Sequence, residues 1–93
     1  MNQLLQNLQQ NALAVTLLSL TPREWDVLMQ SINFLSNKEI ADILCITPES
    51  VSNYKQRIKE KLHLDKGTGS LTKFLVNNLD NIRETHTVAS LLK

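Results

Sequence analysis

The chain has 93 residues, 42% of them hydrophobic, with two Gly, two Pro and one Cys. This length suits one small domain with a single hydrophobic core, and a formal net charge of +1 is not the strong basic excess that is typical of nucleic-acid binding by charge alone. The single cysteine, Cys45, excludes an internal disulfide and a multi-cysteine metal site, and it is typical of a reducing compartment.

The first twenty residues carry no charged side chain. Asn and Gln interrupt the leucines, and no basic segment precedes a continuous apolar run, so we exclude a signal peptide and a membrane span. The apolar residues predict an amphipathic helix from Met1 to about Leu18, either packed on the same domain or docked on a partner chain. They are Leu4, Leu5, Leu8, Ala12 and Val15.

The segment Thr21 to Glu24 predicts the start of a core helix. The threonine hydroxyl can accept a hydrogen bond from the amide three residues later, Glu24 can reach back to the cap, and Pro22 suits the first turn. The helix is predicted to run to about Asn33. Its inward stripe is Trp25, Leu28, Met29 and Ile32, so we expect the tryptophan in the core.

Ser36 and Glu39 repeat this capping pattern before a second helix, with predicted inward residues Ile40, Ala41, Ile43 and Leu44. Thr47 and Pro48 then begin a third helix, predicted to end near Leu62. Cys45 lies in the short turn between them, where we expect an inert thiol buried in the core. Two helices joined by so short a turn are typical of a helix-turn-helix.

Both glycines fall between Asp65 and Ser70, which predicts a loop. A fourth amphipathic helix follows from Leu71 to about Ile82, and the last ten residues either extend it or form a loose tail. The predicted fold class is all-α: four core helices plus the N-terminal amphipathic helix. We divide the chain into an N-terminal helix (1–19), a helix-turn-helix domain (20–83) and a C-terminal extension (84–93).

The third helix has two different faces. At about 100° per residue, Val51, Tyr54, Ile58 and Leu62 share one arc and predict the side facing the core. Ser52, Asn53 and Gln56 lie opposite, and short amide and hydroxyl groups at the start of such a helix can reach base edges in a major groove. We predict that these three side chains contact bases.

Cations surround that outer arc. Between Val51 and Lys66 the chain has five cations and two acidic residues. Long cations and helix starts suit the DNA backbone, which sets register and not sequence preference. The predicted phosphate contacts are Lys38, Thr47, Ser50, Tyr54, Lys55, Arg57 and Lys61.

In order and spacing, the chain resembles the LuxR-type helix-turn-helix domain of bacterial transcription regulators. The resemblance covers about Leu20 to Leu75. The matching residues are Leu20 to Glu24, Val27, Leu28, Leu35 to Ala41, Leu44, Ile46, Val51, Ile58, Lys61 and Leu62.

This resemblance implies cytoplasmic, homodimeric binding to an inverted-repeat site in double-stranded DNA, which recruits or blocks RNA polymerase. It also implies dimer contacts from the helix after the recognition helix, here Leu71, Phe74, Leu75, Asn78, Leu79 and Ile82. Phe34 stands where the family usually has Gly, so we expect Asn33 to take any left-handed conformation. Ser52 replaces a frequent base-contacting Lys, which predicts modest affinity for an isolated monomer.

Two other functions fit parts of the pattern. The uncharged N-terminus and the fourth helix suit an interaction or dimerisation module without DNA binding, and the caps also suit a sigma-factor-like promoter-reading region. We expect no enzyme, because His63 and His86 lack paired carboxylates or a second ligand at metal spacing, and no Gly-rich phosphate loop is present. No cofactor and no metal site are predicted.

Overall fold

The computed structural model describes residues 12–65, 67 and 69–91, the side chain of residue 12 excepted. Those residues form helices and no strand, so the predicted all-α class is confirmed. The helices are α1 (Ala12–Leu18), α2 (Pro22–Ser31), α3 (Asn37–Leu44), α4 (Pro48–Lys61), α5 (Ser70–Asn77) and α6 (Leu79–Leu91). None of the helices in this part of the chain is long and apolar enough to cross a membrane.

The predicted capping boxes are present. The Thr21 hydroxyl accepts from the Glu24 amide at 3.2 Å, and the Glu24 carboxylate accepts from the Thr21 amide at 2.8 Å. Ser36 and Glu39 make the same pair of bonds at 3.1 and 2.9 Å at the head of α3. These reciprocal bonds satisfy amides that the first turn of a helix leaves unpaired, and so they fix where α2 and α3 begin.

One core holds the helices together. α2, α3 and α4 pack against one another, α1 packs against α6, and α5 contacts α6. Trp25 is buried as predicted, and its ring lies 5.2 Å from that of His86, which ties α2 to α6. The buried apolar cluster consists of Leu17, Leu20, Trp25, Val27, Leu28, Ile32, Ile40, Ala41, Val51, Ile58, Leu71, Leu75 and Ile82.

The N-terminal helix is present from Ala12 onward, and the predicted leucines Leu4, Leu5 and Leu8 lie outside the described residues. Val15 belongs to the predicted apolar stripe, and 55% of its surface is exposed. Ala14 and Leu17 are buried, because they lie on the side of α1 that packs against α6.

The turn between α3 and α4 differs from the prediction in two places. Cys45 is exposed and not buried, because it adopts the left-handed conformation (φ 59°) that ends α3. The Ile46 amide then donates to the Ala41 carbonyl at 3.0 Å, a bond typical of a left-handed helix end. Ile43 was predicted to face inward but is 53% exposed, because α3 packs through a narrower stripe of Ile40 and Ala41.

The predicted fourth helix is two helices. Asn78 interrupts it with φ −132°, and its side-chain amide donates to the Phe74 carbonyl at 2.8 Å. α6 then runs through residue 84, the predicted start of the C-terminal extension, and ends at Leu91. The sequence left two alternatives for the chain end, a longer helix or a loose tail, and the structure shows a helix as far as Leu91.

Candidate nucleic-acid interface

α4 is anchored by one side and exposed by the other. Val51 and Ile58 are completely buried, and Tyr54 and Leu62 are partly buried against the core. On the opposite side Ser52 and Asn53 are exposed, and Gln56 is half-exposed. The structure therefore places the three predicted base-contacting side chains together on the outer side of a helix whose rotation is fixed by its buried side.

The start of α4 is built from Thr47 and Ser50. The Thr47 hydroxyl accepts from the Ser50 amide at 3.1 Å and donates to the Ser50 hydroxyl at 2.9 Å. Lys38 is exposed at the start of α3. Because the first turn of a helix carries a partial positive charge, both helix starts suit a phosphate group.

Arg57 and Tyr54 form a pair on one flank of α4. The guanidinium carbon lies 5.5 Å from the centre of the tyrosine ring, within the range of a cation–π contact. Arg57 is exposed and Tyr54 half-buried. The ring, held by the core, limits where the guanidinium can point.

Lys55 is held on the other flank. Its Nζ donates to the side-chain oxygen of Asn37 at 2.6 Å, which connects α4 to the head of α3. Burial, and to a smaller extent the charge of Lys59, hold the pKa of the Lys55 ammonium below its ordinary value. A contact from Lys55 to DNA would have to exchange this bond for one to phosphate.

Lys61 is paired within the domain. Its Nζ lies 2.7 Å from the Glu24 carboxylate, whose side chain is only 3% exposed. Burial by itself raises the pKa of Glu24, but the hydrogen bonds from Lys61 and from the Thr21 amide, with the lysine's charge, outweigh it and hold that pKa below the ordinary value. This pairing gives Lys61 a structural role that its prediction as a phosphate contact did not include.

Three of the predicted dimer contacts belong to the chain's own core. Leu71 and Leu75 are 5% and 2% exposed, and Ile82 is completely buried. In the folded chain these three side chains offer almost no surface to a second copy. The other three, Phe74, Asn78 and Leu79, are half-buried, and the neighbouring Val76 is 52% exposed.

Sequence reasoning did not identify the bond between Asn37 and Lys55, and it assigned the left-handed conformation to Asn33 and not to Phe34. Asn37 is eighteen residues from its partner Lys55, so no local pattern links them. Phe34 is 63% exposed and takes a left-handed conformation itself (φ 59°), whereas Asn33 does not, which corrects the expectation for that turn. The sequence held one indication of this left-handed backbone: a large aromatic residue stands at a position that usually holds glycine.

The comparisons with known proteins identify the domain. The family model described as bacterial regulatory proteins, luxR family, matches residues 18–73. That range contains α2, α3 and α4 and the first residues of α5. Comparisons with curated proteins and with solved structures found no significant match. Because the family model covers more than half of the chain, the chain belongs to the luxR family of bacterial regulatory proteins, whose domain binds DNA in the regulation of transcription.

Proposed function

We propose that this chain regulates transcription by inserting α4 into the major groove of promoter DNA. Ser52, Asn53 and Gln56 contact base edges there. The observation that carries the proposal is the two-sided burial of α4: residues 51 and 58 are inaccessible, while the three polar side chains lie outward. Asn and Gln amides pair well with adenine, so we expect A·T pairs in the half-site.

The phosphate contacts that we propose surround this face. Lys38 lies at the start of α3, Thr47 and Ser50 lie at the start of α4, and Tyr54, Lys55 and Arg57 flank it. We leave Lys61 out of this set, because its ammonium already neutralises a buried carboxylate. Leaving Glu24 unpaired in the interior would cost more than a solvated phosphate contact returns.

The regulator acts by occupancy, without making or breaking a covalent bond. We propose that two copies lie on the two halves of an inverted repeat in cytoplasmic DNA, and that this complex recruits or blocks RNA polymerase. The dimer contacts are assigned to Phe74, Asn78 and Leu79, together with Val76, since these are the accessible residues of that region.

Selection of bound duplexes from a random pool at low salt tests the proposal. We expect enriched duplexes to share an inverted repeat, and light scattering of the complex to give two chains per duplex. A pool without any shared sequence would refute base reading. A stable dimer with no DNA affinity would favour an interaction module instead.

A further inference from the structure

A cleft of about 360 Å³ lies beside α4 and does not belong to its DNA-facing surface alone. Its walls are one flank of α4, one side of α5 and the turn between α2 and α3. The volume is at the lower end of the range for small-molecule sites, roughly 300–1,000 Å³. We call it the α4–α5 cleft.

Two lysines from one flank of α4 give this cleft its charge. Lys55 and Lys59 line it, and no acidic residue is found among the described residues of its wall. The salt bridges of the described chain involve neither lysine. Lys55 donates to the neutral Asn37 side chain, and the Lys59 ammonium makes a long contact of 3.5 Å to the Gly67 carbonyl.

The two ammonium groups disfavour each other. Lys59 lies one helical turn beyond Lys55, and its charge is one cause of the lowered pKa of Lys55. A bound anion would offset this repulsion, and a partly buried ion pair is screened by salt less than an exposed one.

The rest of the wall includes apolar residues. Leu71 and Leu75 line the cleft from α5 and are almost wholly inaccessible, while the exposed Phe34 ring lies at its edge. Phe34 also has a left-handed backbone, which an aromatic residue adopts only at a cost. An exposed aromatic ring next to two cations suits a ligand with one anionic end and one apolar part.

We propose that the α4–α5 cleft binds a small aromatic carboxylate, with the carboxylate at Lys55 and Lys59 and the ring against Phe34. A phosphodiester of DNA would satisfy the lysines but would leave the exposed Phe34 ring without a partner. Ser52 and Gln56 also line the cleft, so the ligand and a DNA base compete for them. This competition rests on the proposed function; the binding itself does not.

Benzoate is the probe, and the ¹⁵N-labelled full chain is titrated with it at constant ionic strength while amide shifts are recorded. Neutral benzyl alcohol and inorganic phosphate are titrated in parallel. The variants are Lys55→Gln, Lys59→Gln and Phe34→Gly. Lys73→Gln is the matched control, because Lys73 is an exposed cation of α5 outside the cleft.

We expect saturable amide shifts at the cleft when benzoate is added. The dissociation constant should be about 1 mM or lower, which a ligand of roughly ten heavy atoms can reach. Lys55→Gln and Lys59→Gln should each weaken benzoate binding about tenfold, because each removes one charge-assisted hydrogen bond. The control, Lys73→Gln, should not weaken it. Phe34→Gly should weaken benzoate binding more than phosphate binding. If Lys55→Gln does not fold, Lys59→Gln decides, since among the described residues the Lys59 ammonium makes only the long contact to Gly67.

Unsaturable shifts, or a benzoate affinity in both cleft lysine variants equal to that of the parent chain, would overturn the site. Phosphate binding as tight as benzoate binding would overturn the ligand class and assign the cleft to the DNA backbone. Benzoate should also displace a selected duplex, and an unchanged duplex affinity would overturn the competition. If no duplex is ever selected, the proposed function fails, while the titration without DNA still decides the cleft.

Discussion

Lys61 and the Thr21 amide bind the same oxygen of Glu24. The lysine Nζ donates to Glu24 Oε1 at 2.7 Å, and the Thr21 amide donates to that atom at 2.8 Å. One carboxylate oxygen therefore completes the cap of α2 and joins it to the last turn of α4. The bond also fixes the end of the proposed recognition helix to the scaffold.

Removing the lysine should destabilise the fold more than removing an exposed cation does. We expect Lys61→Met to lower the free energy of unfolding by about 1–2 kcal/mol, because a buried carboxylate loses its counter-charge while the lysine itself was partly solvated. Lys73→Met is the control and should stay within about 0.5 kcal/mol. Urea unfolding measures both.

A double-mutant cycle with Glu24→Gln isolates the interaction. The coupling energy should be about 1 kcal/mol, since the residues are in direct contact. If the effects of Glu24→Gln and Lys61→Met simply add, the pair contributes nothing and the assignment of Lys61 to the fold is wrong.

The same pair should make stability depend on pH. The folded-state pKa of Glu24 lies below its ordinary value, so the unfolded chain binds the extra proton first. Its contribution is fully present above the ordinary carboxyl pKa of about 4.3 and is lost as the pH falls through the lower folded value.

Thermal melts between neutral and acid pH check this dependence. Glu24→Gln should reduce the loss of stability at acid pH. It should not remove that loss, because the bonds from Ser36 also lower the pKa of Glu39. An identical acid profile for Glu24→Gln and the parent chain would contradict the role given to Glu24.

Local chemistry explains why much of the fold is predictable from sequence. The helix starts at Thr21, Ser36 and Thr47 depend on residues within three positions, and all three are found where the caps predict them. The orientation of α4 also follows from its own periodicity, because its apolar stripe has nowhere to lie except the core.

Features set by neighbouring helices were not predictable in the same way. Ile43 falls in phase with a buried stripe, yet none of the described helices covers it, and Cys45 is apolar but occupies a helix end. The Lys55 bond to Asn37 joins residues far apart in sequence. Asn78 is different: the Asn77–Asn78 pair was a readable helix-ending signal within an otherwise continuous apolar pattern.

Phe34→Gly should stabilise the domain. The residue has φ 59°, which glycine adopts freely and a side chain does not, and the exposed ring has little burial to lose. We expect a gain of up to about 1 kcal/mol, since relief of the left-handed strain is partly offset by the entropy of glycine in the unfolded chain. Phe34→Val should destabilise, because a β-branched residue tolerates this conformation poorly. Equal stability of the three proteins in urea would show that this backbone carries no strain.

Base-reading and phosphate-contacting residues should respond differently to substitution. Asn53→Ala should cost about 1–3 kcal/mol at one base pair of the selected site and relax the preference there, because the amide alone distinguishes the base edges. Arg57→Ala should weaken all duplexes alike and reduce the slope of log affinity against log salt by about one unit. Ser90→Ala, at an exposed polar residue near the end of α6 and outside the residues proposed to contact DNA or a second copy, is the control and should change neither. Fluorescence anisotropy on selected and scrambled duplexes over a salt series measures both effects. An Asn53→Ala protein that loses affinity equally for both duplexes would place that side chain on the backbone and not on a base.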